Sequence, residues 1–586
     1  MSRHAQIDAL TEAGLLADID RYFARLTMDL GACDDVALAA ATTSALHRNG
    51  HACLDLGNAG KPVAALVERP DSARPEDTLA DELQAVALPG KAALLEALAR
   101  SPVVAADSGA AIEQPLVLDR DRLYLHRLFQ AERELAARLL ALAADRDHTT
   151  QGESTIARVF DEGEDRTPEA VAALRIALER RLCIVTGGPG TGKTTLAAKL
   201  IAALVDADLA HPRRIGLAAP TGKAASRIQE SVRGKLSASL LNRIPGLHDF
   251  PAEAWTIHRL LASRTSRMDR LDALVVDECS MADLHVMVRL ASALPEGCRL
   301  ILLGDANQLA SVEPGSVFSD LCKAGDRGSL AHCVTILTRN YRFDERSGIG
   351  RLAAAVVAGD PEAAARVLLD GGNARIRLEP LENEAAFDAF AHDCAREWSD
   401  HMAKLAADPL SAAPFPARRV LCSHRRGPFG TDRFNRLVER RLAEAGRRTE
   451  DDEFYVGRPI IVNRNDPQTD LTNGATGVVV PGDSDHPRVW FPDLDHAGER
   501  FLVSPSRLPQ HESFFALTVH RSQGSEYDDV VFVPGQADSR VNTKELLYTA
   551  VTRARRKVTV LATAQSVRAA VMRTTSRSTG LLDRLR

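Results

Sequence analysis

The chain has 586 residues, of which 45% are hydrophobic and 26% charged, and its formal net charge is −6 at pH 7. This length is several times that of a typical domain of about 100–200 residues, so we expect three or four domains, each with its own core. The charge excludes a protein coated with basic residues for packing DNA, and the nine cysteines include no CxxC pair that would indicate a zinc ribbon or a disulfide framework.

Residues 1–112 are rich in alanine and leucine at helical spacing, which predicts an α-rich N-terminal domain without a catalytic signal. Acidic residues in MSRHAQIDALTEAGLLADID stand where a signal peptide would have its apolar core. No uninterrupted apolar stretch approaches the roughly 18 residues of a membrane-spanning helix. We therefore expect a cytoplasmic protein with no membrane partner.

Residues 113–345 are predicted to form an α/β domain. A short strand and a long amphipathic helix come first, and a polar connector follows at 146–168. Apolar strand candidates then alternate with helical segments; these strands are LCIVT, IGLAA, ALVVD, RLILLG and VTILT. The alternation is typical of a parallel sheet with helices on both faces.

A second α/β domain is predicted in two parts, residues 346–453 and 511–586. Its strand candidates are RRVLC, FFALTVH, DDVVFVPG and KVTVLAT. Between the two parts, residues 454–510 contain short strands separated by Gly, Pro, Asn and Asp turns, which predict a small β-barrel-like insertion. Two α/β halves in one chain suggest a ligand in the cleft between them.

A glycine-rich loop follows the first strand of the first α/β domain. The segment GGPGTGKT matches GxxxxGK[ST], directly after a strand and before a helix; its residues are Gly187, Gly188, Pro189, Gly190, Thr191, Gly192, Lys193 and Thr194, and Thr195 comes next. Such loops turn consecutive N–H groups and a helix N-terminus towards phosphates. Lys193 would reach the β- and γ-phosphates of ATP, and the Thr194 hydroxyl would ligate Mg²⁺. A glycine turn that binds nothing is the alternative.

Two further segments carry polar residues after buried strands. In ALVVDECSM, Asp277 is predicted to hold the magnesium and Glu278 to take a proton from the attacking water. In LILLGDANQLASVEPGSV, Gln308 can donate to the γ-phosphate or position the water. Alone, an Asp-Glu pair or a glutamine is more often a solvated surface feature. Their order after the phosphate loop favours the catalytic interpretation.

These segments and others resemble, in order, the helicase motifs of superfamily 1. The ordered set is LAAPTGKAASR, TIHRLL, VVDECSM, GDANQLASVEPG, LTRNYRF, ALTVHRSQGSEYDDV and ELLYTAVTRARRKV. The residues of these motifs are similar to those of the RecD family, the alpha subunits of exodeoxyribonuclease V (RecBCD), over residues 116–560. The resemblance implies two RecA-like P-loop motor domains with ATP between them, an SH3-like insertion in the second, and 5′ to 3′ movement on single-stranded DNA.

The resemblance also assigns roles in the later motifs. Arg342 and Arg553 correspond to arginine fingers, which stabilise the charge that develops during phosphoryl transfer. Three further residues would lie close to the nucleotide or the domain interface: Gln523, Gly524 and Glu526. For the neighbouring Arg555 and Arg556, a basic surface helix is the preferred interpretation.

DNA contacts are expected at ten positions of these motifs and of the insertion. They are Pro220, Thr221 and Lys223 at a strand-to-helix junction, His258 in TIHRLL, Arg464, Asn465 and Asn473 in the insertion, and Thr518, His520 and Ser522 in ALTVHRSQGS. The helix N-terminus at the junction could hold a backbone phosphate. For His258 a satisfied core histidine is nearly as probable, and turn formation explains both asparagines about equally well.

Two residues depart from the family's pattern. Superfamily 1 helicases usually carry a glutamine before the phosphate loop that reads the adenine edge; here Ala170 stands near that place, which puts adenine selectivity in question. Cys279 follows the two acids where alanine is frequent, and we expect neutral packing there.

The family implies several partners. These are single- and double-stranded DNA ends and the beta and gamma subunits of a heterotrimer, with the N-terminal domain docking onto the gamma subunit. A helical domain that merely covers the motor is a comparable alternative. No nuclease carboxylate cluster is evident in the sequence, so DNA cutting would come from the beta subunit.

The sequence therefore predicts an ATP-dependent 5′–3′ helicase subunit of RecBCD, acting in double-strand break repair by homologous recombination. Its expected location is the bacterial cytoplasm, and the nucleoid when it is bound to DNA. A stand-alone superfamily 1B helicase is one alternative. A nucleotide-gated assembly subunit without translocation is another.

Overall fold

Four β-sheets organise the chain, in a computed structural model. The structure describes residues 2–68, 81–106, 113–146, 152–161, 163–262, 268–311, 313–342, 347–370, 375–448, 452–482, 486–495, 499–536, 539–575 and 577–586. Within these ranges no helix combines the length and the apolar character that a membrane crossing requires. Phe343, at the end of LTRNYRF, lies outside the described residues.

The N-terminal unit contains six helices and a four-stranded sheet. In chain order its elements are α1 (Arg3–Glu12), α2 (Asp18–Asp29), α3 (Asp34–Arg48), β1 (Cys53–Asp55), α4 (Val63–Leu66), α5 (Asp81–Gln84), α6 (Lys91–Ala99), β2 (Val104–Ala106), β3 (Leu116–Asp119) and β4 (Arg122–Leu125). Helix α3 is the centre of this unit, since every residue from 36 to 46 is buried. A helix that is buried on all sides in this way has to be covered by its neighbours.

The first sheet crosses the domain boundary predicted at residue 112. Its strand order is β1-β4-β3-β2, and Val104 of β2 pairs in parallel with Leu116 of β3. The N-terminal unit therefore extends through β4. The sequence pattern predicts β3 as the short strand before the long helix. It misses β1 and β2, because three residues are too few for a period of two to emerge from the surrounding Ala- and Leu-rich sequence.

The first α/β unit follows. Its elements are α7 (His126–Ala144), α8 (Gly152–Arg158), α9 (Pro168–Glu179), β5 (Leu182–Gly187), α10 (Lys193–Asp206), β6 (Ile215–Ala219), α11 (Gly222–Lys235), α12 (Ala238–Arg243), β7 (Ala254–Thr256), α13 (Ile257–Ala262), β8 (Ala273–Val276), α14 (Leu284–Ala293), β9 (Arg299–Gly304), α15 (Val317–Arg327) and β10 (Val334–Leu337). The strands form a parallel sheet in the order β10-β5-β9-β8-β6-β7. All five predicted strands are confirmed, and the short β7 is an addition at the edge.

Successive side chains of β5 point to opposite faces of the sheet, and each face is covered by helices. Leu182 and Ile184 belong to a core shared with α7 and α14, whereas Cys183 and Val185 belong to the core shared with α9 and α10. Every residue of β5 is buried. An apolar run without polar interruptions is what a parallel strand between two helical layers requires.

The second α/β unit is interrupted by the insertion. Its first part contains α16 (Gly348–Ala358), α17 (Pro361–Leu369), β11 (Ile376–Glu379), α18 (Glu384–Ala407), β12 (Arg418–Cys422) and α19 (Thr431–Glu444). The insertion contains β13 (Pro459–Val462), β14 (Thr476–Val480), β15 (Arg488–Trp490), β16 (Leu502–Val503) and β17 (His511–Ser513). The last part contains β18 (Ala516–Thr518), β19 (Tyr527–Val533), α20 (Lys544–Thr552), β20 (Ala554–Leu561), α21 (Ala564–Met572) and α22 (Leu581–Arg584).

The sheets of the second unit and of the insertion differ in kind. The order β11-β20-β19-β12-β18 is parallel throughout, whereas β16-β15-β14-β13-β17 is antiparallel throughout. The insertion is thus a separate five-stranded sheet, and its SH3-like character stays a prediction. The surface helix preferred for Arg555 and Arg556 is wrong. Both lie on β20 beside a register shift between β19 and β20, and both are exposed there.

The end of the chain returns to the first α/β unit. Leu581 and Leu585 are buried in its core. The carboxylate of Glu132 on α7, also buried, accepts hydrogen bonds from Thr579 Oγ1 (2.7 Å) and from the backbone N–H of Gly580 (3.1 Å). The second α/β unit is therefore attached to the first by a second connection, remote in sequence from the first one.

We expect Glu132→Gln to lower the free energy of unfolding by about 1–3 kcal/mol, because an amide NH₂ would face the Thr579 and Gly580 donors in a buried place. This loss is expected to outweigh the relief from the burial that raises the pKa of Glu132. Chemical denaturation measures the change. Glu134→Gln, at an exposed position of the same helix, is the matched control. An equal, small loss in both variants would contradict the structural role of Glu132.

Candidate active site

The phosphate loop between β5 and α10 has the backbone that the sequence predicts. Gly190 and Gly192 have φ angles of +83° and +85°, a region of backbone conformation that residues other than glycine rarely adopt. The ammonium group of Lys193 donates to the carbonyl oxygens of Gly187 (2.6 Å) and Gly188 (3.0 Å). The positive charge of Lys193 is therefore held directly over the loop.

Two acidic residues follow β8 at the carboxyl edge of the same sheet. Burial, with the neighbouring Glu278 adding to it, raises the pKa of Asp277 to about 6, while Lys193 opposes this rise. Glu278 is in the left-handed region with φ +53°, and its backbone N–H donates to Asp277 Oδ1 (2.8 Å). A carboxylate that is costly to ionise, beside a strained neighbour, is typical of a site that binds a cation.

The loop after β9, residues 305–309, links the two α/β units and is called the sensor loop here. Asp305 Oδ2 accepts hydrogen bonds from Gln308 Nε2 (3.1 Å) and from the hydroxyl of Tyr548 on α20 (3.0 Å). Gln523 Nε2 of the second unit donates to the carbonyl of Leu309 (2.9 Å). The buried Gln308 Oε1 has no hydrogen-bond partner among the described residues, so this acceptor can still take a donor in the cleft.

The segment after β10 brings an arginine to the phosphate loop. Tyr341 N donates to Gly190 O (2.8 Å), and Asn340 Nδ2 donates to Pro189 O (2.8 Å). A Cβ added at Gly190 would lie 2.5 Å from Cβ of Arg342. Glycine is therefore required at position 190 for a second reason, the close approach of Arg342.

Arg553 reaches the same place from the second unit. It ends α20, is 2% exposed, and donates from Nη1 to the carbonyl of Ser525 (3.2 Å) and from Nε to the carbonyl of Thr549 (3.3 Å). Two backbone carbonyls thus fix the guanidinium group in a buried position. Among the described residues no carboxylate contacts this guanidinium group, and a charge held in this way can stabilise a developing anion.

These elements enclose a cleft of about 320 Å³ between the two units. It brings together all six residues for which the sequence predicts catalytic roles: Lys193, Asp277, Glu278, Gln308, Arg342 and Arg553. Further predicted residues in its lining are Pro189, Gly190, Gly192, Thr194, Thr195 and Glu526. Sequence reasoning missed Arg227 and Tyr341, which also line the cleft.

Five predicted nucleotide residues lie behind the lining of the cleft: Gly187, Gly188, Thr191, Gln523 and Gly524. The Thr191 hydroxyl donates to Gly188 O (2.8 Å) inside the loop. Gln523 contacts the sensor loop, and the carbonyl of Gly524 accepts from Arg227 Nη1 (3.4 Å). The positions of Gln523 and Gly524 favour the domain-interface role that the resemblance offered as the alternative to nucleotide contact.

The cleft fits a magnesium-bound nucleoside triphosphate. Its possible metal ligands, the hydroxyl of Thr194 and the carboxylate of Asp277, are oxygen atoms, which Mg²⁺ prefers. Lys193 and the helix N-terminus supply positive charge for phosphates. The partnerless Gln308 Oε1 is a further polar atom that a ligand or its water would satisfy.

Two of the predicted DNA residues line a different, larger groove of about 830 Å³. Thr518 and His520 lie in it, together with Arg425 and Arg521 of the second unit. Arg48 of the N-terminal unit forms part of the opposite wall. A groove with several cations is suited to a phosphate backbone.

Two features limit the DNA prediction in this groove. Ser522 is fully buried and donates to the carbonyl of Val519 (2.7 Å), so its predicted DNA contact is wrong; the short turn at 520–522 directs this side chain into the core. Glu512 pairs with Arg425 (3.0 Å) and with Arg521, and it neutralises part of the positive charge.

The strand-to-helix junction after β6 contacts the insertion. Pro220 and Thr221 are partly exposed, and Thr221 Oγ1 caps α11 by accepting the N–H of Ala224 (3.2 Å). Lys223 forms an ion pair with Asp493 of the insertion (2.8 Å). The predicted phosphate ligand Lys223 is thus held by a carboxylate in this structure, which DNA would have to displace.

The remaining predicted DNA residues lie apart from the groove. Arg464 and Asn465 line a separate depression of about 510 Å³ in the insertion. Asn465 Oδ1 accepts the N–H of Asn473 (2.7 Å), which gives Asn465 the turn-forming role that the sequence left open. His258 is exposed, so the alternative of a satisfied core histidine is wrong.

We expect Asp277→Asn to abolish ATP hydrolysis and to raise the free energy of unfolding by about 1–3 kcal/mol above pH 6. The folded state raises the pKa of this carboxyl to about 6, so keeping it ionised above that pH costs stability, and a neutral amide removes the cost. The gain should shrink as the pH falls from about 6 towards about 4, where the unfolded chain also binds the proton.

Thermal unfolding across this pH range, with and without Mg²⁺, measures the effect. Asp283→Asn is the control, because Asp283 caps α14 and asparagine caps a helix equally well. A pH-independent difference between Asp277→Asn and the wild type would contradict the role assigned to the buried carboxylate.

Three protein-family models match the chain: an AAA domain over residues 170–314, the N-terminal domain of the RecBCD enzyme subunit RecD over 12–124, and a UvrD-like helicase C-terminal domain over 513–561. The second of these ends within β4, in agreement with the extent of the N-terminal unit. Among solved structures, Bacteroides Pif1 bound to ssDNA is 15% identical, with 69% of this chain and 94% of that chain covered and a TM-score of 0.38, too low to support an argument.

Two curated relatives have a higher sequence identity to this chain. The ATP-dependent RecD2 DNA helicase of Deinococcus radiodurans is 29% identical over 83% of this chain and 61% of its own. The RecBCD enzyme subunit RecD of Mycolicibacterium smegmatis is 39% identical over 94% of each chain. With this identity over nearly its whole length, the chain belongs to the RecD family.

Proposed function

We propose that the chain is the RecD subunit of a RecBCD (exodeoxyribonuclease V) complex. In this role it is an ATP-dependent DNA helicase that moves 5′ to 3′ on single-stranded DNA during double-strand break repair by homologous recombination, in the bacterial cytoplasm and on the nucleoid. The observation that carries the proposal is the inter-unit cleft, which collects all six predicted catalytic residues from both α/β units. A nucleotide binder without turnover has no need for a general base together with two arginines, one from each unit.

On the wall formed by the first unit, Lys193 and the loop N–H groups hold the phosphates of ATP. Mg²⁺, held by Thr194 and Asp277, supplies charge neutralisation to the phosphates. Glu278 stands beside Asp277, where its carboxylate accepts the proton of the attacking water. The chemistry therefore needs Asp277 ionised, in spite of the burial that raises its pKa.

Two arginines complete the cleft, Arg342 from the segment after β10 of the first unit and Arg553 from the second unit. Arg342 and Arg553 stabilise the charge that develops during phosphoryl transfer. Gln308 reports the state of the nucleotide, because its amide is bonded to Asp305, which Tyr548 of the second unit also contacts. A change at the terminal phosphate thus reaches α20 through two hydrogen bonds.

In this proposal, single-stranded DNA follows the groove that contains Thr518 and His520, in which five arginines stand beside four acidic residues. These two residues and the sensor-loop partner Gln523 lie on one short stretch, 516–526, of the second unit. Nucleotide state and DNA contact are therefore coupled through this stretch. A net charge of −6 is compatible with this role, since strand tracking needs a local basic path and not a basic protein.

Partner docking is proposed for α2 of the N-terminal unit. Four large apolar side chains there are exposed by half or more, at spacings of three and four residues: Ile19 (62%), Tyr22 (57%), Leu26 (50%) and Leu30 (52%). This spacing places them on one face of the helix. A contiguous apolar face of this kind indicates a protein contact.

The charges around this face favour a protein partner over DNA. Arg21 pairs with Asp18 (2.8 Å) and Arg25 with Asp8 (2.9 Å), so neither arginine offers an unbalanced charge to a phosphate. We assign the face to the gamma subunit of the complex, in line with the family resemblance. The beta subunit is then the source of any nuclease activity.

The first test is unwinding by the purified chain on duplexes with a 5′ or a 3′ single-stranded overhang, with ATP hydrolysis followed in parallel. We expect unwinding of the 5′-overhang substrate alone and DNA-stimulated hydrolysis. Lys193→Gln should lower both at least about 100-fold, because the phosphates lose a charge-assisted contact. Lys235→Gln, at the exposed end of α11, is the control and should retain both.

Two outcomes contradict this function. Binding of ATP without DNA stimulation or unwinding, even with the beta and gamma subunits present, would establish a nucleotide-gated assembly subunit. Full unwinding by a chain that never associates with those subunits would establish a stand-alone helicase.

The docking assignment is tested with Leu26→Glu, which places a charge in the middle of the exposed face. We expect the variant to keep its DNA-stimulated ATPase and to lose co-elution with the beta and gamma subunits in size-exclusion chromatography. Leu410→Glu, at a 79%-exposed leucine of the second α/β unit, is the matched control. Co-elution of both variants would contradict the assignment.

A further inference from the structure

Arginines from both sides of the inter-unit cleft form ion pairs with Glu526. Arg342 pairs with its Oε1 at 2.7 Å, and Arg227 of α11 pairs with the same oxygen. Arg555 of β20 approaches Oε2 at 3.3 Å. The Glu526 side chain is only 7% exposed, so this carboxylate is largely removed from water. One buried acid thus holds three guanidinium groups from three separate segments.

The charges of this cluster keep Glu526 ionised. Burial alone would raise its pKa, but Arg227 and Arg342 outweigh burial and lower the pKa to about 2. The carboxylate is therefore charged at every pH at which the enzyme works. Its pairing with the arginines is strong because little water screens it.

The position of Arg342 places the same guanidinium within reach of a nucleotide. Tyr341 is bonded to the phosphate loop through its backbone N–H, and the Arg342 side chain begins beside Gly190. Arg227 and Glu526 line the cleft together with Asp277 and Glu278. A phosphate bound in this cleft and the carboxylate of Glu526 are thus two anions that face the same arginines.

We propose that Glu526 is a positioning residue that competes with the terminal phosphate of ATP for Arg342 and Arg227, and so sets how strongly the cleft distinguishes triphosphate from diphosphate. The inference rests on the proposed function only in assigning ATP to the cleft. Binding of a triphosphate exchanges arginine–carboxylate pairs for arginine–phosphate pairs. A diphosphate lacks the group that would take the arginines, and it leaves them on Glu526.

The exchange has a consequence for DNA contact. Helix α11 carries Arg227 near its middle and the predicted DNA ligands Thr221 and Lys223 at its start. While Arg227 is paired with Glu526, α11 is attached to the second unit. Release of Arg227 to a phosphate removes this attachment and leaves the Lys223–Asp493 ion pair in place. The competition at Glu526 therefore links the nucleotide to the helix that carries the predicted DNA ligands.

The test is the affinity of Glu526→Gln for two nucleotides, ADP and the slowly hydrolysed triphosphate ATPγS, measured with Mg²⁺ by isothermal titration. Glutamine keeps the size of the side chain but not the competing charge. We expect tighter binding of ATPγS by about 5- to 10-fold and ADP affinity within about twofold of the wild type. Glu362→Gln, which removes an exposed carboxylate paired with Arg568, is the matched control and should change neither affinity.

Two further variants separate positioning from a structural role. Glu526→Asp keeps the competing charge and should stay close to the wild-type ratio of the two affinities. In an Arg342→Ala background, Glu526→Gln should change the affinity for ATPγS by less, because Glu526 then holds only Arg227 away from the phosphate. This double-variant comparison also remains informative if one single variant is unstable.

Equal changes in both nucleotide affinities, or no change in either, would overturn the inference and leave the helicase assignment intact. A wild-type chain that binds neither nucleotide would contradict the proposed function and this inference together. The two failures are therefore distinguishable.

Discussion

The hydrogen bonds between the sensor loop and the second α/β unit are the interaction on which the rest of the site depends. Tyr548 and Gln523 attach that unit to the carboxyl edge of the first sheet, where the phosphate loop and the acidic pair also lie. Because the strands are parallel, all three loops of the first unit emerge at one edge. Without this attachment, Arg553 of the second unit would not face the acids of the first.

The sequence predicts the long parallel strands well because burial on both faces requires an uninterrupted apolar run, as in β5 and β9. It misses β1, β2 and β7, because each has only three residues, too few to show the alternating pattern of a strand. Five of the six residues with predicted catalytic roles meet in one cleft because they follow strands of one parallel sheet, whereas the sixth, Arg553, ends α20.

Other parts of the site depend on contacts that no local pattern encodes. Arg227 lies one helical turn after Lys223, on the same face of α11, and this spacing could have identified it. Ser522 was misassigned because burial after a short turn is decided by tertiary packing. The pairing of Glu132 with Gly580 joins residues 448 positions apart, a separation at which sequence periodicity has no information.

The return of the chain to the first unit limits how the two α/β units can move. The second unit is joined to the first at the segment after β10 and again at the segment before α22, where Ser578 also bonds to Ala52 of the N-terminal unit (2.9 Å). The second unit is thus anchored to the first at both of its ends, in addition to the contacts of the sensor loop. Opening of the cleft therefore leaves both ends of the second unit attached to the first.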